Sequence, residues 1–249
     1  MGVNYQRILL PLPAGCIQGR FAARVKRFSV KIETASGAVW AHTNNTGSML
    51  GLLAPGAPAL LSPAANPCRK LQWTLERIWL GDAGRGFWAG VNTLSPNRML
   101  KAAFMAGLLD FAKGYETLQM ERKNGASRLD GCFTGADKPP LWVECKNVSL
   151  VEDEVAAFPD AVSERALKHL LELVEIVKRG ERAAMFFLVQ RPDARCFSPA
   201  DYIDEKYAES FYRALGQGVE AYAYEAALYP AGMGLGRRLK VTGSMGKYG

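Results

Sequence analysis

Residues 141–148 read Leu141-Trp142-Val143-Glu144-Cys145-Lys146-Asn147-Val148. In a strand, alternation puts Glu144 and Lys146 on one face and Val143 and Cys145 on the other. Trp142, Val143 and Val148 flank the charges closely, which argues for a strand rather than a loop. Asp130 ends the polar alternation of the preceding strand candidate, and if the two strands pair as a hairpin it approaches Glu144. Two carboxylates and one lysine then converge on a single point. Such a set can hold Mg²⁺ or Mn²⁺ through hard oxygen ligands, and the ion can polarise a phosphoryl oxygen and lower the pKa of a bound water. The metal ligands would be Asp130 and Glu144, with the Cys145 carbonyl and Glu121 as further oxygen donors. Lys146 would stabilise the developing charge or position the nucleophile.

The elements around this stretch set its context. Ser95 suits a helix N-cap and Pro96 the first helical position. Met99, Leu100, Ala103, Phe104, Leu108, Phe111 and Ala112 then recur at helical spacing. Strand candidates follow at Thr117–Arg122, Arg128–Phe133 and Leu141–Val148, with Asp137-Lys138-Pro139-Pro140 in the turn between the last two. An amphipathic helix is predicted from about Pro159 to Arg179, ended by Gly180. Ala183–Val189 reads as a strand buried on both faces, followed by a helix near Asp204–Leu215 and a strand near Val219–Leu228. The order helix, three strands, helix, strand, helix, strand implies an α/β core. Asp130, Glu144 and Lys146 in that order resemble the motif of the PD-(D/E)xK nucleases, with Leu129 where a proline is usual. A Glu-x-Lys on a strand edge is also common without any such role, so an ion cluster of the folded core stays open. The Gly-rich, basic tail from Ala231 is expected to be mobile.

Upstream, residues 5–93 read as short strands between Gly, Pro and Asn. Phe28, Val30 and Ile32 alternate with polar residues, and Ala35-Ser36-Gly37 turns the chain into Val39-Trp40-Ala41-His42. Short strands without a convincing helix predict a small barrel or sandwich. The formal net charge of +7 lies entirely in this part: residues 1–93 hold ten basic and three acidic residues, whereas residues 94–249 hold 21 of each. A basic module joined to a neutral one suggests that the first faces a polyanion. Arg20, Arg24, Lys26, Arg27 and Lys31 form a run without an acid, suited to phosphate contacts that ignore sequence and weaken with salt. Phe21 and Phe28, interleaved with it, read as core. On the long helix, Arg165, Lys168, His169 and Glu172 share the polar face. Either they are a solvated helix surface, or the three basic groups line the metal site and meet a phosphate. Asn45-Thr46-Gly47-Ser48-Met49 reads as a turn, with Gly47 able to take a positive φ.

No stretch approaches the roughly 18–20 continuous apolar residues of a membrane span. Ile8-Leu9-Leu10 is followed at once by Pro11 and Pro13, a poor signal peptide. Five cysteines without a C-x-x-C, and only two histidines, indicate neither a disulfide framework nor a zinc site. The expectation is a soluble, cytoplasmic protein.

Several blocks together resemble the sugar fermentation stimulation protein A family. They are Asn45-Thr46-Gly47-Ser48-Met49, Val91-Asn92-Thr93 with Asn97-Arg98, Ser127-Arg128-Leu129-Asp130 and Glu144-Cys145-Lys146-Asn147-Val148. Phe158 to Arg165, Lys168-His169-Leu170, Phe197-Ser198-Pro199 and Ile203 to Tyr207 continue the match, which spans about residues 18–230. The resemblance implies an α+β two-domain chain: an OB-like β-barrel, here residues 1–93, then a PD-(D/E)xK nuclease-like α/β domain, here 94–249. It also implies DNA binding, with a regulatory role in sugar (maltose) metabolism. The function expected is largely sequence-nonspecific binding of DNA; the alternative, compatible with it, is metal-dependent cleavage of DNA or RNA at Asp130, Glu144 and Lys146.

Overall fold

A computed structural model describes residues 7–82, 84–125 and 127–242. After β1 (Leu10–Pro11), a meander of β2 (Ile17–Val25), β3 (Ser29–Thr34) and β4 (Gly37–His42) is joined by β5 (Pro58–Pro63) and β6 (Trp73–Asp82). The order β4-β3-β2-β5-β6 closes on itself because β4 also pairs in parallel with β6, Ala41 opposite Trp73. The result is a five-stranded barrel, and β7 (Arg85–Gly90) adds a hairpin to β6. Inward positions alternate as the sequence predicts, with Val30 and Ile32 fully buried among Phe21, Leu61, Leu75 and Ile78. Phe28 departs from the pattern. It precedes β3, is 47% exposed, and its ring runs nearly parallel to that of His42. The reading of Phe28 as core is therefore corrected, while Phe21 is core.

The second unit opens with α1 (Ser95–Met105). Ser95 lies inside this helix, whose N-cap is Leu94. The helix also stops earlier than the periodicity predicts: Gly107, at φ 68°, turns the chain out, and Asp110–Ala112 forms only a 3₁₀ turn. Then come β8 (Thr117–Asn124), β9 (Ser127–Gly135), β10 (Lys138–Val148), β11 (Leu150–Glu152) and β12 (Val155–Phe158). These are followed by α2 (Glu164–Lys178), β13 (Arg182–Val189), β14 (Cys196–Pro199), α3 (Glu205–Gly216), β15 (Glu220–Tyr229) and β16 (Gly232–Val241). One mixed sheet runs β11-β12-β14-β16-β15-β13-β10-β9-β8, and β1 pairs with β16. The expected order of helix, three strands, helix and strand is present in α1, the β8–β10 meander, α2 and β13.

Three expectations change. Pro139 and Pro140 lie within β10 rather than in a turn, across a register shift that spans Lys138 to Leu141; a bulge tolerates residues that cannot donate to the ladder. The long helix begins at Glu164, not Pro159, because Ser163 caps it: its hydroxyl accepts from the Ala166 N–H at 3.2 Å. Residues 232–241, expected in a mobile tail, form β16, which lies between β15 and β14 in the sheet. Residues 243–249 of that tail lie outside the described residues.

Alternation along β10 divides the core. Trp142 packs with α2 and α3 on one face, and Leu141, Val143 and Cys145 pack with α1 on the other. β13 is buried along its length after Arg182, as its continuous apolar run predicts.

Candidate functional site

β9 and β10 pair antiparallel, with Val143 opposite Gly131, so Asp130 and Glu144 come out as neighbours. Asp130 is held at both oxygens: Oδ1 accepts from Asn97 Nδ2 on α1, and Oδ2 from the Cys145 backbone N–H, each at 2.7 Å. Glu144 is 3% exposed. Its Oε1 accepts from Lys146 Nζ at 2.7 Å and is in short contact with His169 Nδ1 of α2. Its Oε2 is buried without a hydrogen-bond partner. These groups open on a cavity of about 460 Å³ that Arg98, Arg128 and Arg165 also line.

The two carboxyls titrate in opposite directions. Burial, and then the charge of Glu144, push Asp130 above the usual carboxylate range. Burial works the same way on Glu144, but the His169 hydrogen bond and the Lys146 ammonium outweigh it and hold that carboxyl below its ordinary value. A cation placed between the two would oppose the repulsion that raises Asp130.

Glu121 lies on the rim of the same cavity, exposed and paired with Arg128 at 3.4 Å. The Cys145 thiol is buried in the core, and burial pushes it well up; its N–H is what meets Asp130. Among the described residues no three His, Cys, Asp or Glu side chains gather as metal ligands. Of the basic residues on α2, Arg165 and His169 line the acidic cavity. Lys168 is exposed and turned to Glu172 at 3.8 Å.

The barrel's basic run divides in the same way. Arg24 is structural: its guanidinium donates to the carbonyls of Asn45, Gly47 and Arg27, each at 2.9 Å. Arg20 donates to the Gly56 carbonyl at 2.9 Å. Lys26 is exposed, and Lys31 faces Glu33 at 3.5 Å. Arg27 lines a second cavity, of about 500 Å³, between the barrel and the sheet domain, together with Lys146 and Arg165.

The loop that Arg24 holds carries the Asn45–Met49 block, and its partner lies in the second domain. The Asp160 carboxylate accepts from the Met49 N–H and the Ser48 hydroxyl, both at 3.2 Å. A Cβ on Gly47 would come within 2.5 Å of that carboxylate. Gly47 is thus required by a close approach, and the positive φ of the turn falls on Met49 instead, at 52°. Asn97 is a site residue that the spacing argument did not reach. Only its place in the Asn97-Arg98 block signalled it, because its contact with Asp130 crosses from α1 to β9.

Two family models match the chain: the SfsA N-terminal OB domain over residues 23–91 and the sugar fermentation stimulation protein RE domain over residues 94–232. The sugar fermentation stimulation protein homolog of Maridesulfovibrio salexigens is 53% identical, over 94% of this chain and 97% of its own. That of Lawsonia intracellularis is 50% identical, over 93% and 97%. Among solved structures, Pyrococcus furiosus SfsA in complex with Ca²⁺ superposes with a TM-score of 0.85 at 27% identity, covering 95% of this chain and 99% of that one. With both domains matched in order and half of the residues shared with full-length relatives, the chain belongs to the sugar fermentation stimulation protein family.

Proposed function

We propose that the chain is a nucleic-acid-binding protein whose second domain is a divalent-metal-dependent phosphodiesterase, with Asp130, Glu144 and Lys146 as its reacting set. The observation that carries this reading is Glu144 Oε2, a buried carboxylate oxygen with no hydrogen-bond partner beside a second carboxyl. Such an atom is unfavourable unless a cation or donor meets it. Two carboxylates are few for an all-protein cage, but they suit Mg²⁺ or Mn²⁺, which keep waters and take phosphate oxygens. The residues therefore fit, and Asp130 and Glu144 would hold the ion. When bound, it would supply positive charge at a phosphoryl oxygen and a more acidic water. Ca²⁺ in the Pyrococcus furiosus relative is a hard cation of the same oxygen-seeking class.

The chain's own groups do the rest. Asn97 and the Cys145 N–H fix the orientation of Asp130, and His169 fixes that of Glu144. Lys146, beside Glu144, balances charge that develops on the phosphoryl group. Arg98 and Arg165, on the cavity wall, meet flanking phosphates. The +7 surplus of residues 1–93 supports a polyanionic substrate, DNA or RNA. The relatives' name supports a role for this binding in the control of sugar metabolism.

The test is a Mn²⁺ titration followed by a Mn²⁺-dependent cleavage screen over single-stranded, duplex and branched nucleic acids. The wild type should bind the ion, Glu144→Gln should lose that binding, and Asp130→Asn should lose cleavage. Failure of the wild type to bind the ion, or equal cleavage by Asp130→Asn, would overturn the reading. Affinity for nucleic acid should fall steeply as salt rises.

A further inference from the structure

The outer face of β3 and β4 carries side chains that the acidic site does not use. On β4, Trp40 and His42 point outward on either side of the fully buried Ala41, and Trp40 is 44% exposed. Trp40 is paired in register with Lys31 of β3, and His42 with Ser29. Phe28, next to Ser29, lays its ring nearly parallel to His42, with an interplanar angle of 14°. Val25 of β2, opposite Ser29, extends the patch and is also exposed. Large apolar side chains standing in water on neighbouring strands call for an occupant. The charges around them say which: Lys26, Arg27 and Lys31 adjoin the patch, within residues 1–93, which carry the whole basic surplus.

We propose that this face is a stacking platform for unpaired nucleobases, so that the substrate of the acidic site is a single-stranded segment. Flat rings interleaved with lysine and arginine match both parts of a single strand, its exposed base faces and its phosphates. A duplex hides its base faces in the stack and offers only edges and backbone. The platform also leads to the acidic site. Arg27, beside Phe28, lines the interdomain cavity that Lys146 and Arg165 share. On the other side, His42 lines a cavity of about 600 Å³ with Arg98, and Arg98 in turn lines the acidic cavity. A strand stacked on Phe28 and Trp40 is thereby handed toward Asp130 and Glu144 along walls where basic side chains outnumber the acidic Asp160 and Glu76. The inference rests on the proposed nucleic-acid activity and adds the form of the substrate.

The experiment is fluorescence anisotropy in EDTA, where no cleavage occurs, with a labelled oligothymidylate of about 15 nucleotides, near the upper site size of one OB fold. A mixed-sequence duplex of the same length is measured beside it. The Phe28→Ala/Trp40→Ala protein should bind the single strand about tenfold or more weakly, since base–aromatic stacking contributes on this scale. Its duplex affinity should stay within about twofold, because phosphate contacts are retained. Phe28→Tyr/Trp40→Tyr should restore single-strand binding, which separates stacking from damage to the barrel. Equal weakening toward both ligands, or no weakening, would overturn the platform while leaving the phosphodiesterase reading intact. A wild type that binds neither ligand would overturn both.

Discussion

A guanidinium with three carbonyl partners is a structural part, whatever its charge suggests. Arg24 is the case in point: it bridges β2, the turn after it and the Asn45–Gly47 loop through main-chain oxygens. Hydrogen bonds from a charged donor are the stronger kind, and stranding the two half-buried acceptors of Asn45 and Gly47 is unfavourable. Arg24→Ala is expected to lower unfolding free energy by about 2–3 kcal/mol, whereas Lys26→Ala, exposed, should stay within about 0.5 kcal/mol. Urea denaturation of the two variants checks this, and a neutral Arg24→Ala would return the residue to the phosphate-binding set. If Arg24→Ala is destabilised as expected, any loss of nucleic-acid affinity in it reports on the loop, not on a phosphate contact.

The elements that position the site are tied at their ends. Asp204 caps α3 by accepting the Tyr207 N–H at Oδ1, and with Oδ2 it accepts the N–H of Ser163, the cap residue of α2, both at 3.0 Å. One carboxylate thus locks the start of the helix that delivers Arg165 and His169 to the start of its neighbour. Ser163→Ala removes a single cap bond and should cost about 1 kcal/mol. Asp204→Ala removes one cap and strands a second N–H, and should cost about 2–3 kcal/mol. The comparison is made by chemical denaturation. Equal losses from the two substitutions would show that the Ser163 N–H finds another partner.

Across the whole molecule, the barrel and the sheet domain are joined by hydrogen bonds distant from the acidic site as well as near it. Arg77 of β6, only 4% exposed, donates at 2.7 Å to the carbonyls of Tyr229 and Gly232, where β15 turns into β16. The Gly90 N–H donates to the Gln190 carbonyl at 2.9 Å, and the Gln190 amide to Asn92 O at 3.0 Å. Asp160 closes the side facing the Asn45–Met49 loop. Arg77→Met keeps the apolar stem but strands two carbonyls, so it should cost about 2–4 kcal/mol. Calorimetry should then show the domains unfolding in two steps where the wild type unfolds in one. A single endotherm with its midpoint within about 2 °C of the wild type would count against Arg77 as a link.

Local patterning determined much of this protein without help. Period-2 alternation in Ser29–Ile32 and Leu141–Val148, the apolar run of Ala183–Val189 and the 3.6-residue stripe of α2 each depend on one element's own sequence. So does the pairing of Asp130 with Glu144, because a hairpin brings together residues that are close in the chain. Tertiary structure decided what depends on neighbours remote in sequence. Residues 232–241 are a strand because β14, β15 and β1 satisfy their backbone, not because Gly, Arg and Lys favour one. Phe28 is exposed because it lies in the turn just before β3, outside the alternation that it seemed to begin. Asn97 reaches Asp130, and Asp160 reaches Ser48 and Met49, only once helix, sheet and barrel are packed. Charge segregation along the chain could point to a polyanion, but which cations are free to meet it was settled by packing. A guanidinium is as available to a nearby carbonyl as to a phosphate, and only the folded chain brings the carbonyl near.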